Sequence, residues 1–175
     1  MRVSLPRRTD DLYRVCFVCT GNICRSVMGE FVFEDLLAQA GLSRSVGVLS
    51  AGTSRWHVGE DMDPRSRASL ERRGYAAPLH AVRQFEASWF DGVDLVVALD
   101  RGHRRTLLEL ARDEQDRSKV ELLLAFDPDQ AALHDVPDPY FSDDLAFDRV
   151  IATIEQACRP LLRHVSERLA VRGEA

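Results

Sequence analysis

The stretch VDLVVAL at residues 93–99 constrains the fold more than any other part of the sequence. It is almost unbroken in apolar residues and does not alternate. A strand with one wet face alternates, whereas one buried on both faces reads as a continuous run, as in sheets covered by helices on each side. Other short β-rich runs accompany it: YRVCFV at 13–18, VGVLSAG at 46–52 and VELLLAF at 120–126. Helical patterns separate them. From about Arg25 to Ala40, Met28, Val32, Leu36 and Ala40 form one i,i+4 row, and Phe33 and Leu37 the next. Glu30 and Glu34 are expected to point away from that face, and Gly41 to end the helix. Asp63 followed by Pro64 is an N-cap with proline at the first helical position, and that helix should stop near Gly74. Asp100 caps another, to about Arg112. Phe147, Val150, Ile151, Ile154, Cys158, Leu161, Leu162, Val165 and Leu169 make a long C-terminal stripe, which Pro160 is expected to kink or split. Strands alternating with helices predict an α/β fold with a parallel sheet.

A chain of 175 residues suits one domain with a sizeable core. Residues 1–12 read as an N-terminal extension and 13–175 as the domain. No apolar run reaches the roughly 18 residues of a membrane helix. The charged start MRVSLPRRTDDLYR has no apolar signal region, so the expected compartment is cytoplasmic, with export without a signal left open. A net charge of −5 disfavours non-specific nucleic-acid binding but not a local cleft for an anion. Four cysteines (Cys16, Cys19, Cys24 and Cys158) do not make a disulfide scaffold in a chain this long.

The loop CTGNICRS, residues 19–26, follows the first strand, and in parallel sheets ligands sit beyond the carboxyl ends of strands. Zinc is disfavoured there. Cys16 and Cys19 have the Cys-x-x-Cys spacing, but in a strand they point to opposite faces, and no second ligand pair is near. A thioredoxin-like pair would open the helix rather than lie in the strand, so Cys16 reads as core, as does Cys158. Two readings remain open on residue chemistry. One is a plain turn, shaped by Gly21 and Asn22. The other is an anion cradle: five residues between Cys19 and Arg25 are enough chain to wrap a tetrahedral oxyanion with N–H groups. The following helix would add its positive end, and Arg25 a two-pronged fork. Cys19 at the centre would be stabilised as a thiolate.

VCFVCTGNICRSVMGE closely resembles the active-site loop of the low-molecular-weight protein tyrosine phosphatases. SAGTSRWHVGEDMDPR (50–65), HAVRQF (80–85), DLVVALDRGHR (94–104) and VPDPYF (136–141) resemble the same family, in the same order, and the likeness is to bacterial members. It implies a doubly wound, four-stranded parallel sheet with helices on both faces and a phosphate-binding loop after the first strand. It further implies hydrolysis of phosphotyrosine and small aryl phosphates through a cysteinyl-phosphate, without cofactor or metal. Cys19 matches the nucleophile, Arg25 the transition-state stabiliser and Asp138 the general acid and base. Thr20, Gly21, Asn22, Ile23 and Cys24 match the backbone cradle. Asn22 also matches a residue that shapes the loop, Ser26 the hydroxyl beside the thiolate, and His80 a buried support.

Trp56 and His57 match one wall of the cleft, and Tyr140 and Phe141 the other. Asp138 comes from the resemblance; by position alone it competes with Asp100 and Asp127, whose plainer roles are cap or turn. Its pairing with Cys19 implies a bell-shaped, mildly acidic pH profile. Cys24 either donates only its N–H or captures an oxidised Cys19 as a disulfide. Partners would be phosphotyrosine-containing proteins, met by a monomer or weak homodimer. Val27 and Gly29 depart from the family's usual proline and alanine, and the loss of the proline should loosen the loop slightly without removing chemistry. Arsenate reductase on the same fold ranks lower, because no cysteine lies between Cys24 and Cys158. A silent phosphoprotein-binding module fits poorly with the full set of Cys19, Arg25 and Asp138.

Overall fold

Strand β1 (Tyr13–Cys19) is buried at every position and forms the middle of the sheet. β2 (Val46–Gly52) pairs with it on one side, in a register from Tyr13 opposite Val46 to Cys19 opposite Gly52. β3 (Leu95–Ala98) pairs on the other side, and β4 (Val120–Leu122) lies beyond it. All pairings are parallel and the order is β2-β1-β3-β4. The structure is a computed structural model that describes residues 11–173; most of the expected extension at 1–12 lies outside the described residues. The chain winds from β1 to β2 on one side, then crosses back to β3 on the other. That reversal opens a crevice between the carboxyl ends of β1 and β3, where ligands bind in such sheets.

Alternation along β1 feeds two cores. Val15, Phe17 and Cys19 enter the one covered by α1 (Arg25–Gln39), α2 (Pro64–Arg72) and α5 (Asp144–Gly173). Cys16 and Val18 enter the other, with Trp89, Phe90 and Leu107 of α3 (Arg101–Leu110). Cys16 and Cys19 therefore face opposite sides, as residues three apart in a strand must. The helix ends follow the chemistry of their sequence. Gly41, at φ 72°, closes α1 while Leu42 N–H donates to Leu37 O at 2.8 Å. Asp63 caps α2 through Arg65 N–H at 2.8 Å, with Pro64 next. The short α4 (Glu114–Ser118) is capped by Asp113 and leads into β4.

Three sequence expectations need correction. VELLLAF is a strand only over Val120–Leu122, then a 3-10 turn over Leu123–Phe126. β3 ends opposite Leu122, so the edge strand has no further partner; Leu123 and Leu124 instead enter the core beside α5. Pro160 does not split α5, which is continuous across it. The carbonyl that proline leaves without its helical partner belongs to exposed Gln156, where it is open to solvent hydrogen bonding. Glu30 does not point to solvent. It is 7% exposed and accepts the Ser50 hydroxyl of β2, while Arg83 Nη2 lies 3.5 Å and His80 Nδ1 3.8 Å from its carboxylate. Burial raises its pKa, with Arg83 opposing.

Candidate active site

The loop between β1 and α1 is held from outside by its carbonyls. Thr53 N–H donates to Cys19 O at 2.8 Å, Ser54 N–H to Thr20 O at 3.0 Å and Asp63 N–H to Ile23 O at 2.9 Å. With carbonyls anchored outward, the loop can curl its N–H groups inward. The approach is close: a Cβ at Gly52 would lie 2.6 Å from Thr20 O, so this strand end requires glycine. No side chain caps α1 and no acidic residue occupies its first turn, which leaves its positive end to the loop.

Asn22 adopts φ 56°, a left-handed conformation that asparagine tolerates better than most residues. Its side chain is saturated. Nδ2 donates to Ser26 Oγ at 2.9 Å and Ser50 Oγ at 2.8 Å. Oδ1 accepts from Arg83 N–H at 3.0 Å and lies 3.1 Å from His80 Nε2. The Arg83 amide can only donate, which fixes the amide's orientation, so His80 Nε2 must also carry a proton. Burial, and then Arg83, holds the His80 pKa down to about 4. Ser26, accepting from Asn22, keeps its own hydrogen available to Cys19 Sγ, 3.0 Å away, and a thiolate there can only accept it. A hydrogen bond donated to that sulfur favours its charged form. Ser50, accepting likewise, passes its hydrogen to Glu30. Directionality thus runs from one buried amide to both the nucleophile candidate and a buried carboxylate.

Arg25, only 5% exposed, is gathered by three oxygens. Nη1 donates to Asp100 Oδ2 at 2.9 Å and Val136 O at 3.0 Å, and Nη2 lies 3.2 Å from Asp138 Oδ2. Val136 N–H in turn donates to Leu99 O at 2.9 Å, which ties the 136–141 segment to the end of β3. Asp100 is the expected helix cap, through His103 N–H at 2.8 Å, and also the unforeseen partner of Arg25. A carboxylate directly after the strand at the switch point was the available signal. Asp127 is a local turn residue, accepting from Asp129 N–H and the Gln130 side chain. Arg65 was missed as well. It donates to the Tyr140 and Ser142 carbonyls at 3.1 and 3.2 Å and lies over the Tyr140 ring, bracing the Asp138 segment from α2.

A cavity of about 250 Å³ opens at this point. Cys19, Thr20, Gly21, Ile23, Cys24 and Arg25 form its floor; Trp56, His57, Asp138, Tyr140 and Phe141 form its walls. Asn22 and Ser26, expected to bind as well as to support, are fully buried behind the floor, and so is most of His80. Trp56 and Phe141 are 76% and 94% exposed, so the walls stand out as a rim. His57 Nδ1 is braced by Glu60 at 2.8 Å. The Asp138 side chain is half exposed and accepts from Tyr140 N–H at 3.2 Å. Cys24 is a buried free thiol whose pKa burial pushes up to about 12, so it stays protonated near neutrality.

A thiol at the focus of a loop, a nearby guanidinium and an aspartate overhanging the mouth define the class of cysteine-dependent phosphoryl-transfer sites. Residues 14–171 match the low molecular weight phosphotyrosine protein phosphatase family, and the chain belongs to it. It is 50% identical over 162 residues to a Streptomyces coelicolor low molecular weight protein-tyrosine-phosphatase, covering 92% of this chain and 98% of that one. Low molecular weight protein-tyrosine phosphatase A of Mycobacterium tuberculosis is 43% identical over 165 residues, covering 93% and 98%. The crystal structure of YfkJ from Bacillus subtilis superposes with a TM-score of 0.84 at 32% identity, covering 91% and 98%.

Proposed function

We propose that this member of the family hydrolyses phosphotyrosine and small aryl phosphate monoesters through a cysteinyl-phosphate. The observation that carries the reading is the meeting of Cys19, Arg25 and Asp138 around one cavity with the Ser26 hydroxyl 3.0 Å from the sulfur. The phosphoryl group sits on the loop's N–H groups. Cys19 sulfur attacks phosphorus while the P–O bond to the aryl oxygen breaks. Arg25 takes up the charge that spreads over the equatorial oxygens. The departing phenolate belongs to a parent acid of pKa about 10 and needs a proton, which Asp138 supplies. Asp138, now a carboxylate, takes a proton from water as that water's oxygen attacks the thiophosphate. Phosphate leaves and the sulfur regains its electron pair. The aromatic rim of Trp56, Tyr140 and Phe141 suits an aryl ester on a phosphoprotein.

The test is steady-state turnover of p-nitrophenyl phosphate with and without chelator, together with intact-mass analysis of acid-quenched enzyme. Chelator-insensitive turnover and a trapped phosphoryl adduct on Cys19 are expected. Turnover without a thiol adduct in rapid-quench samples would defeat the mechanism.

A further inference from the structure

His103 belongs to no expected role, yet it stands where the two ends of the phosphate loop meet. It lies in the first turn of α3 and is 4% exposed. Its Nε2 is 2.9 Å from the Thr20 hydroxyl and 3.5 Å from Arg25 Nη2. Its Nδ1 is 3.2 Å from Asp100 Oδ1, the oxygen that also accepts its backbone N–H; the other oxygen of Asp100 holds Arg25. Arg25 has only donors, so the nitrogen facing it must present a lone pair. The proton therefore belongs on Nδ1, which lies near the Asp100 carboxylate without a hydrogen bond to it. The Thr20 hydroxyl must then donate to Nε2. Its hydrogen is thereby committed away from Cys19 and from any bound oxyanion, leaving Thr20 to serve the cradle through its backbone N–H.

We infer that His103 is a positioning residue, an Nδ1-protonated ring whose Nε2 accepts from Thr20 at the start of the loop and from Arg25 at its end. This inference rests on the proposed phosphatase reading and adds a residue to it. The ring's surroundings keep it uncharged. Burial pulls its pKa down to about 4; Asp100, Asp138 and Asp135 pull upward and Arg25 downward. Below its pKa the ring would present a second N–H to a guanidinium, and the link would break. Removing the ring should let Arg25 rotate about Asp100 and free the Thr20 hydroxyl, which misplaces charge relative to the transition state more than to bound substrate.

The experiment compares p-nitrophenyl phosphate kinetics of the native enzyme with Cys19→Ser, His103→Leu, His103→Gln, Thr20→Val and the His103→Leu/Thr20→Val pair. His103→Leu should lower kcat by about 10²-fold with KM nearly unchanged. His103→Gln, which returns an acceptor near Nε2, should recover about tenfold of that loss. The double variant should be no slower than His103→Leu, because both changes break one link. Additive losses, or native kcat in folded His103→Leu, overturn the inference. If Cys19→Ser still turns over, it is the phosphatase mechanism that fails instead. Ring ¹⁵N spectra of the native protein at about pH 6, below the ordinary histidine pKa, decide the matter even if a variant does not fold. An Nδ1–H ring with a bare Nε2 is expected, and an Nε2–H or doubly protonated ring refutes it.

Discussion

The two halves of the active site are built in opposite ways. The 19–26 loop is contiguous and buried. Cys19 is 3% exposed, Asn22 and Ser26 are sealed, and every polar atom of the Asn22 amide is bonded. The 136–141 segment is remote in sequence and open to solvent, held by the Val136 backbone at one end and by Arg65 at the other. On the proposed reading, one half fixes a nucleophile and a cradle before substrate arrives, and the other aims a single carboxyl between two prolines. Changes in the first half should therefore damage folding and chemistry together, whereas changes in the second should damage chemistry alone.

The sharpest break is at the sulfur. Cys19→Ser should abolish turnover while vanadate still binds, because the cradle and Arg25 remain; measurable turnover would end the proposal. Next is Asp138→Ala, expected to lower kcat about 10²–10⁴-fold, the usual share of a general acid. The loss should shrink for esters of acidic phenols, whose leaving groups need no proton. Urea unfolding of this variant should match native within about 0.5 kcal/mol, as for an exposed side chain. A large stability loss would mean that the acid segment is not the independent half described above.

Asn22→Ala tests the opposite half. It removes the amide's four hydrogen bonds and asks alanine to hold a left-handed φ. A stability loss of about 2–4 kcal/mol is expected, together with a fall in kcat. Loss of kcat alone would show that the loop is held without this network.

Legibility in the sequence divides along the same line. The loop could be read as a candidate because its chemistry is local: Cys19, Gly21, Asn22 and Arg25 lie within one turn between a strand and a helix. Asp138 could not, since a carboxylate between prolines has no local pattern that names its target, and only the resemblance selected it. Asp100 was legible only as a cap and Arg65 not at all, because their contacts to Arg25 and to the 140–142 backbone close only when the sheet is folded. Glu30 failed for a different reason. An i,i+4 stripe assumes one wet face, but α1 presses its second face on β2, where Ser50 and Arg83 meet the carboxylate. The sheet itself was legible from apolar runs. The end of β4 was not, because a strand stops when its partner does.

The Gly29 departure also becomes intelligible in contact terms. A Cβ there would lie 2.6 Å from Phe17 Cδ1, so in this chain the Phe17 ring fills the space that alanine would need. Phe17 is fully buried and packs edge-on to Phe33, 5.8 Å between centroids. Gly29→Ala should therefore destabilise by about 1–3 kcal/mol as an overpacked site, despite its better helix propensity. Adding Phe17→Leu should return part of that loss. If Gly29→Ala alone stabilises the protein, the ring moves freely and the close packing beneath the loop is not what holds it.

The smallest effect concerns pH, and it separates the halves without a mutation. His80 supports Asn22 and is neutral in the fold, with its pKa near 4 against about 6.5 when unfolded. The unfolded chain thus binds more protons between those values. The stability that His80 contributes is complete above about pH 6.5 and is lost as pH falls toward 4. At about pH 6 the loss from this one ring is about 1 kcal/mol. Glu30 beside it has the opposite sign: its raised pKa favours the fold at low pH and weakens it as pH rises through the folded value, which blunts the slope. Ring ¹⁵N signals of folded His80 should stay in the neutral Nε2–H form from pH 5 to 7, the range over which its own contribution to stability rises. Protonation of folded His80 near pH 6 would mean that the Asn22 amide is held by a charged donor, and the buried half of the site would then change with pH across the range in which the enzyme is expected to work.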